Sequence, residues 1–372
     1  MRFRHVVVGA GLSGSVVAER IASQLDQAVL VIEKRKHVAG ICHDTHNEHG
    51  ILVHTCGPHA FHTGRKDVWD YLRNFTEWRR YQHRALSYVD GRLVPIPINL
   101  DTVNHLFGLE LPAEELPQFL QSVSEPVAEI RTGADLLLST IGRHLYEKLY
   151  KNYSQKQWGL SPENLDAQVV SRLPVHYNRD SRYFTDPYQG IPGEGYTRMT
   201  EKMLSHPNIK LLLDTDYRRV AAQIDCDKLI YTGPIDCYFD YRYGRLPYRS
   251  FDARFETHRQ EYYQPVAVVN YPNDYDFTRI TEFKHMTGQT SDRTTILKEF
   301  PREATAEEEP CWPVINSQTT ALAERYREQA AAERDVLFVG RLAEYRYYNM
   351  DEAVFRALEL FNHDIAGDTD PA

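Results

Sequence analysis

The spacing of hydrophobic residues changes repeatedly along the chain, and each change marks a predicted element. Residues 3–8 form a short apolar run with β-branched members, which predicts a buried strand. After a glycine-rich stretch, apolar residues recur at helical spacing, and a second apolar run at 28–32 is followed by Glu33. This order predicts a strand, a tight turn, a helix and a second strand, a unit that begins many α/β domains.

The turn of this unit carries a G-x-G-x-x-G motif, Gly9-Ala10-Gly11-Leu12-Ser13-Gly14. Gly9 lets the chain turn, Gly11 lets the backbone approach a pyrophosphate, and Gly14 lets the helix pack closely on the strand. The helix N-terminus offers N–H donors to phosphate oxygens, and Glu33 is placed to accept hydrogen bonds from a ribose. The motif in this context predicts a dinucleotide site. The alternative is a glycine-rich turn in another kind of α/β protein.

The rest of the chain is predicted to hold two kinds of insert. Helical spacing covers 66–80 and most of 99–159, and a hairpin is predicted over 86–98. Strand-like alternation covers 168–190 and 231–300. The inserts therefore predict a helical part and a β-sheet part.

Two short apolar runs, at 209–213 and 336–339, predict strands that return to the first unit. The fold class is therefore α/β, with a Rossmann-like domain interrupted by inserts. We predict three domains: a discontinuous Rossmann-like domain (1–66, 191–230 and 334–372), a helical domain (67–80 and 99–167) and an antiparallel β-sheet domain that holds the substrate (81–98, 168–190 and 231–333).

Charge and cysteine content exclude several classes of function. The 43 Lys+Arg and 52 Asp+Glu give a formal net charge of −9, which argues against nucleic-acid binding because phosphates attract surplus cations. No apolar run approaches the ~18 residues of a membrane span. The five cysteines include no C-x-x-C pair, as in proteins of a reducing compartment, and the 24 tyrosines favour a planar or sugar ligand. We therefore expect a cytoplasmic protein with no membrane or nucleic-acid partner.

Further sequence blocks follow the glycine motif in order over nearly the whole chain. They include His54-Thr55-Cys56-Gly57-Pro58-His59, Tyr153-Ser154-Gln155-Lys156-Gln157-Trp158-Gly159, Ser171-Arg172-Leu173-Pro174-Val175, Thr278-Arg279-Ile280-Thr281-Glu282 and Gly340-Arg341-Leu342-Ala343-Glu344-Tyr345. On these blocks the chain resembles the bacterial UDP-galactopyranose mutases. The ordered set is far more specific than a glycine motif alone.

The resemblance implies a flavoenzyme that interconverts UDP-galactopyranose and UDP-galactofuranose, a precursor of cell-surface polysaccharides, with no net redox change. It implies that FAD must be reduced and that its N5 attacks the anomeric carbon while UDP leaves. The ring would then open as a flavin–sugar iminium and reclose through a different hydroxyl. The resemblance also implies a homodimer and a transient reductant such as NAD(P)H.

The resemblance also assigns roles to individual residues, and it implies no metal. The catalytic set is Arg172 and Arg279, which would hold the diphosphate, with His59 and His62 beside the flavin and the sugar. The implied substrate-binding residues are Asn99, Tyr153, Ser154, Trp158, Arg172, Tyr183, Arg279, Trp312, Tyr347 and Asn349. The implied cofactor-binding residues are Gly9, Gly11, Leu12, Ser13, Gly14, Glu33, Lys34, Gly40, His59, Gly340, Arg341, Asn349 and Met350. Arg172 lies on a segment, 165–176, that corresponds to a mobile lid.

The chain departs from the family pattern near the implied meeting point of flavin and sugar. Thr55-Cys56 stands in place of a Lys-Tyr pair, Cys311-Trp312 in place of a tyrosine pair, and Asn349 where many relatives have aspartate. An N-acetylated or deoxy sugar, or another nucleotide, is therefore an alternative substrate.

Two other kinds of protein are alternatives to a mutase. One is an FAD oxidoreductase of the amine-oxidase type, against which the paired Arg172 and Arg279 argue because an amine substrate gives them no anion to bind. The other is a protein that binds flavin and nucleotide without turnover.

Overall fold

The computed structural model describes residues 2–171, 174–305, 308 and 310–367. Over these residues the strands are β1 (Arg2–Val8), β2 (Val29–Ile32), β3 (Asp44–His46), β4 (Leu52–His54), β5 (Phe61–Thr63), β6 (Trp78–Arg80), β7 (Ala85–Val89), β8 (Arg92–Ile96), β9 (Tyr188–Pro192), β10 (Ile209–Leu212), β11 (Asp225–Tyr231), β12 (Tyr248–His258), β13 (Val268–Asn270), β14 (Arg279–Glu282), β15 (Thr294–Glu303), β16 (Trp312–Pro313) and β17 (Val336–Phe338). The α-helices of the same residues are α1 (Leu12–Gln24), α2 (Lys66–Leu72), α3 (Leu100–Phe107), α4 (Leu116–Val123), α5 (Gly133–Leu145), α6 (Asn152–Trp158), α7 (Ala167–Val170), α8 (Tyr196–Met203), α9 (Tyr217–Val220), α10 (Ile235–Tyr238), α11 (Lys284–Thr287), α12 (Ser317–Ala331) and α13 (Met350–Leu360).

A five-stranded parallel sheet has the order β10-β2-β1-β11-β17. All four residues of β2 are buried, as are Val6 and Val7 of β1, and such continuous apolar strands are typical of a parallel sheet covered on both faces. The strand order reverses at β1, which lies between β2 and β11. In open α/β sheets a ligand binds at the carboxyl edge beside such a reversal, so this edge is where a nucleotide site is expected.

A second sheet has seven strands in the order β16-β12-β15-β14-β13-β7-β8. Its neighbouring strands are antiparallel except β13 and β7, which pair in parallel. The prediction of an antiparallel sheet is wrong at that pair. Because β7 and β13 lie far apart in the sequence, no tight turn forces them to run in opposite directions.

The helical part covers α3 to α6 and packs around an apolar core that includes Leu145, Tyr146 and Leu149. Helices α3 and α5 both begin with a capping box, at Asn99 and Thr132, which satisfies backbone N–H groups at each helix start. Among the described residues, no helix combines the length and the apolar character needed to cross a bilayer.

Two predicted segments differ from the observed elements. The helix predicted over 66–80 ends at Leu72 and is followed by strand β6. The strand-like segment 168–190 contains most of helix α7 and, among its described residues, no strand before β9. Its backbone makes isolated hydrogen bonds to other segments instead, such as His176 N–H to Ile98 O and Tyr183 N–H to His83 O. Strand β9 then pairs with β5 and β6 in a separate three-stranded sheet.

Candidate active site

A cavity opens at the carboxyl edge of the parallel sheet, where β1 ends in the glycine-rich turn. Its walls come from the loops after β1, β2, β10, β11 and β17 and from the start of α13. All of the residues that the sequence predicted to bind the cofactor line it: Gly9, Gly11, Leu12, Ser13, Gly14, Glu33, Lys34, Gly40, His59, Gly340, Arg341, Asn349 and Met350. The fold thus brings segments from both ends of the chain into one site.

Two glycines of the motif have no room for a side chain. Gly9 has a φ of +106°, and a Cβ built on it would lie 2.1 Å from Thr232 Oγ1. A Cβ on Gly14 would lie 2.0 Å from the carbonyl oxygen of Gly9 and 3.2 Å from Val7 Cγ1. Because neither residue has a side chain, the N-terminus of α1 lies close against the end of β1, and Leu12, Ser13 and Gly14 at that terminus line the cavity.

Glu33 is 2% exposed and holds the turn after β2 against the glycine loop. Its Oε2 accepts the backbone N–H of Ala10 at 2.8 Å, and its Oε1 accepts that of Arg35 at 2.8 Å. A carboxylate has about four lone-pair positions, so the two bonds leave acceptor capacity for ribose hydroxyls. The buried carboxylate, the helix N-terminus and the glycine cradle together fit the adenosine and pyrophosphate of a dinucleotide.

The sequence prediction missed part of the cavity wall, in the segment that follows β10. Thr215, Asp216 and Arg218 line the cavity there, and the Thr215 N–H donates to the Glu33 carbonyl at 3.0 Å. These residues are identified from the fold. Strand β10 is a neighbour of β2 in a parallel sheet, so the loops after both strands meet at one edge.

Arg279 begins β14 and lies directly opposite Glu299 of β15. Its Nε donates to Glu299 Oε1 at 2.7 Å, and the Glu299 side chain is completely buried. Such a carboxylate holds the planar guanidinium in one orientation, and it also offsets the positive charge. Glu299 was not predicted from the sequence. Since the pair is neutral, an anionic ligand here needs a second cation.

Tyr153 reaches the same pair from helix α6. Burial raises the pKa of its phenol, although the nearby Arg279 charge acts in the opposite direction, so the hydroxyl is protonated at neutral pH. The neighbouring Ser154 is buried, with 3% exposure. Tyr153 and Arg279, which the sequence predicted to bind substrate, are therefore brought together.

Three more of the predicted substrate residues form an aromatic group. The ring centroid of Trp158 lies 6.2 Å from that of Trp312 and 5.5 Å from that of Tyr347, both in edge-to-face contact. The Arg341 guanidinium, which also lines the cofactor cavity, lies 5.5 Å from the Tyr347 centroid. The group therefore adjoins the cavity. Each indole is only 8% exposed, so both contribute mainly to the apolar core and offer a ligand little ring surface.

His59 connects the cofactor cavity to Arg279. Its Nδ1 lies 3.0 Å from Gly57 O, and its backbone N–H donates to His54 Nδ1 at 3.0 Å. Burial, and then the nearby His54 and the Arg341 charge, lowers the pKa of His59 to about 3. The Arg279 charge acts in the same direction. The ring is therefore neutral at pH 7 and exchanges hydrogen bonds rather than adding positive charge.

His62, which was predicted to be catalytic, is not among the residues that line the cavity. Its Nδ1 lies 2.7 Å from Asp186 Oδ2, and its ring stacks on Phe184 with centroids 3.5 Å apart. Tyr183 belongs to the same group, with its ring 5.0 Å from that of Phe184 and 5.2 Å from that of His83. These two predicted residues thus form a second group, held by ring contacts.

Asn99 has a structural role in this fold, and its contact with the nucleotide stays a prediction. The side chain is fully buried, its Oδ1 accepts the Thr102 N–H at 3.0 Å, and its Nδ2 donates to Asp180 O at 3.3 Å. It caps α3 because a helix start leaves N–H groups without partners. Arg172, the other predicted diphosphate ligand, lies outside the described residues.

Three buried histidines predict a loss of stability in acid. Burial lowers the pKa of His54 to about 4 and those of His59 and His83 to about 3, from 6.5. The unfolded chain therefore binds more protons than the folded one below pH 6.5, and unfolding becomes easier as the pH falls, by about 1.4 kcal/mol per pH unit for each histidine. Thermal melts of the purified protein at pH 7, 6 and 5 should show a steadily falling Tm. The His83→Gln variant should lose less Tm over this range, and equal pH slopes for the two proteins would contradict the assignment.

Comparison with known proteins agrees with the resemblance found in the sequence. A family model described as UDP-galactopyranose mutase matches residues 148–347, and one described as an NAD(P)-binding Rossmann-like domain matches residues 7–75. The chain is 36% identical over 358 residues to a probable UDP-galactopyranose mutase of Klebsiella pneumoniae, covering 95% of this chain and 92% of the relative. It is 33% identical over 363 residues to a dTDP-fucopyranose mutase of Escherichia coli, covering 95% and 96%.

Solved structures agree on the fold. A crystal structure of reduced UDP-galactopyranose mutase superposes with a TM-score of 0.78 at 16% identity, covering 99% of this chain and 96% of the other. A triple mutant of putrescine oxidase superposes with a TM-score of 0.61 at 14% identity, covering 99% of each. At these identities the likeness establishes the architecture alone.

The family model spans more than half of the chain, and relatives above 30% identity cover nearly all of it. These matches confirm the predictions of a Rossmann-like α/β fold, of FAD as the cofactor and of an isomerase. The chain belongs to the UDP-galactopyranose mutase family of flavin-dependent enzymes.

Proposed function

We propose that the protein interconverts UDP-galactopyranose and UDP-galactofuranose, and that its own residues act by binding the diphosphate, orienting the sugar and excluding water. The observation that carries the proposal is Arg279, a half-buried cation positioned by the buried Glu299 and reached by Tyr153. A guanidinium held in this way suits a diphosphate that gains charge as it leaves the sugar. An amine substrate would give Arg279 no anion to bind.

We place FAD in the cavity at the carboxyl edge of the parallel sheet. Glu33 and the start of α1 would hold its adenosine and pyrophosphate, and His59 and Arg341 would lie near the flavin ring. When bound and reduced, FAD supplies a nucleophilic nitrogen for the anomeric carbon. Neutral His59 can exchange a hydrogen bond there without competing for the negative charge of the diphosphate.

Because the Arg279–Glu299 pair is neutral, the proposal needs a second cation for the diphosphate. We assign this role to Arg172. Under this proposal the 165–176 segment closes over the substrate and brings Arg172 to the diphosphate while it shuts out water. Leu165, Val169 and Val170 are buried in this structure, so the first part of the segment is anchored by packing.

A second candidate substrate is a deoxy sugar on another nucleotide. The dTDP-fucopyranose mutase of Escherichia coli is as fully covered by this chain as the galactose enzymes are. Trp312 stands where the sequence pattern of the family has a phenol, so a phenolic contact to the diphosphate would be lost at this position. We propose this substrate as the alternative to UDP-galactose.

The two substrates are separated by one assay. The protein is reduced with dithionite and incubated in parallel with UDP-galactofuranose and dTDP-fucofuranose, and the pyranose products are resolved by chromatography. Conversion of the first supports the main proposal, and conversion of the second alone supports the deoxy sugar. Oxygen consumption by an amine, with neither sugar converted, would replace the mutase assignment with an oxidase.

We also propose that the protein is a cytoplasmic homodimer and that NAD(P)H reduces its FAD transiently. The absence of a second dinucleotide motif in the sequence favours a reductant that docks briefly at the flavin. Light scattering of the purified protein would give the mass of the assembly. Stopped-flow bleaching of the flavin by NADH and NADPH would identify the reductant.

A further inference from the structure

Lys156 of helix α6 binds the loop between β13 and β14 through its ammonium group. Its Nζ donates to the carbonyl oxygens of Tyr271, Tyr275 and Phe277, at 2.6, 2.8 and 3.3 Å. An ammonium has three N–H donors, so these carbonyls accept all of them. We call this set of hydrogen bonds the Lys156 clamp. The residue belongs to the block at 153–159 that carries the family resemblance, but the proposed function gives it no role.

The loop that receives Lys156 is held in one shape by its own side chains. The ring centroids of Tyr271 and Phe277 lie 4.9 Å apart, and those of Tyr275 and Phe277 lie 5.1 Å apart. At the base of the loop the Tyr271 N–H donates to Thr278 O at 2.8 Å. The three carbonyls of the clamp therefore come from a compact turn, and their positions are fixed relative to the start of β14.

This loop leads directly to the proposed diphosphate site. Thr278, its last residue, donates its N–H to Glu299 O at 2.9 Å. Arg279 follows at the start of β14, and its Nε donates to Glu299 Oε1 at 2.7 Å. The position of Arg279 is thus set by strand pairing with β15 and by the loop that Lys156 binds.

Helix α6, on the other side of the clamp, carries three predicted substrate residues, Tyr153, Ser154 and Trp158, and packs against β15. All residues of α6 are described, and none of them lines the cofactor cavity. Under the proposed function the sugar faces that cavity and Arg279 binds the diphosphate, so α6 is left to contact the nucleoside. Lys156 therefore joins the helix that meets one half of a nucleoside diphosphate to the loop that positions the residue for the other half.

A second contact joins the same helix and loop. Asn152 Nδ2 donates to Asn273 Oδ1 at 2.9 Å, and Asn273 Nδ2 donates to Lys148 O at 3.1 Å. Asn152 and Lys156 are four residues apart, so they lie on one face of α6. At the end of the helix, Arg249 of β12 donates from Nη2 to Lys156 O at 3.0 Å. The helix is thus fixed to the loop at two points and to the sheet at a third.

We propose that Lys156 is a positioning residue for substrate binding, because its clamp sets the distance between α6 and Arg279 so that one nucleoside diphosphate contacts both. The inference rests on the proposed function, from which it takes the diphosphate at Arg279. Two parts of a site that bind one ligand add their affinities only when their spacing fits that ligand. Loss of the clamp therefore weakens binding of a nucleoside diphosphate, but not of the nucleoside, which contacts α6 alone.

The test compares UDP with uridine, and dTDP with thymidine, as ligands of the FAD-loaded protein. Binding is measured by calorimetry for the diphosphates and by ligand-detected NMR for the nucleosides. We expect Lys156→Met to lower the affinity for the diphosphate about 10-fold and to change that for the nucleoside less than about twofold. Lys156→Arg keeps N–H donors and should recover part of the loss. Equal losses for both ligands, or no loss for the diphosphate, would overturn the proposal.

Lys284→Met is a matched control for Lys156→Met. The Lys284 ammonium also donates to three carbonyls, those of Glu261, Ser291 and Arg293, at 2.8, 2.6 and 3.1 Å. None of these three residues belongs to the predicted site. The control should lower Tm through the loss of the same kind of hydrogen bonds while leaving the affinity for the diphosphate unchanged. A selective loss of diphosphate affinity in this control as well would mean that destabilisation explains the effect, and would overturn the positioning role.

Asn273→Ala decides the question if Lys156→Met does not fold, as judged by flavin absorbance and circular dichroism. This variant removes the second contact between α6 and the loop, so we expect a smaller loss of diphosphate affinity with the nucleoside affinity unchanged. Unchanged diphosphate affinity would then overturn the proposal. Failure of the proposed function looks different, because the wild type itself would convert neither sugar nucleotide. Normal conversion by the wild type, together with normal diphosphate binding by Lys156→Met, would remove the clamp and leave the proposed function intact.

Discussion

Arg279→Ala is expected to lower kcat by roughly 10²–10³-fold while the protein keeps its FAD. The guanidinium is the positioned cation that the proposed diphosphate would meet, whereas the FAD cavity is lined by other residues. Flavin absorbance after gel filtration measures cofactor content, and turnover is measured with the sugar nucleotide that the assay identifies. Full activity in this variant would remove Arg279 from the proposed mechanism.

The same change should also destabilise the fold, and this has to be separated from the loss of turnover. Without Arg279 the completely buried Glu299 carboxylate has no counter-charge, which costs about 3–5 kcal/mol. The double variant Arg279→Ala with Glu299→Gln should recover much of the lost Tm but none of the lost activity. Recovery of turnover along with Tm would mean that Arg279 matters only for stability.

Gly9→Ala is expected to lower FAD affinity by roughly 10-fold or more. At a φ of +106° a side chain is strained by about 1–3 kcal/mol, and the new Cβ would overlap Thr232 Oγ1 at 2.1 Å. Thr232 cannot easily move away, because its hydroxyl and its N–H both bond to Val8 O, at 2.8 and 3.0 Å. The glycine loop must therefore shift away from the pyrophosphate position. Equilibrium dialysis of flavin against the purified variant measures the change.

Gly244→Ala is a matched control for Gly9→Ala. Gly244 has nearly the same backbone angle, with φ +104°, but nothing lies within 4 Å of its Cβ position. The Gly244→Ala variant therefore has the backbone strain without an overlap of the new Cβ with a neighbour. We expect it to have a lower Tm and an unchanged FAD affinity. An equal loss of FAD in both variants would show that strain, and not the glycine cradle, explains the effect.

Most of the cofactor cavity could be predicted because its signals are local. The glycine motif, the apolar strand before it and Glu33 after the second strand lie within one short stretch, and the hairpin at Asp90-Gly91 is equally local. The segment 168–190 could not be predicted in the same way. Its backbone groups make single hydrogen bonds to distant segments, such as His176 N–H to Ile98 O. The local sequence pattern cannot predict such bonds, because their partners lie far away in the sequence.

The candidate substrate site was predicted less completely than the cofactor cavity. The family resemblance pointed to Arg279, but the buried Glu299 that orients it was missed, because a cross-strand partner has no fixed spacing in sequence. The capping role of Asn99 was also missed, although a polar residue directly before a helix often takes this role because the first N–H groups of the helix lack partners.

The sequence by itself determined the family, the strand-turn-helix unit and the residues around the cofactor cavity, since motif order and hydrophobic period are properties of neighbouring residues. Only the tertiary structure decided that Arg279 is a neutralised cation and that the loop after β10 completes the cavity. Each of these contacts joins residues on different strands or loops. Their distance is set by sheet pairing and packing across the whole chain.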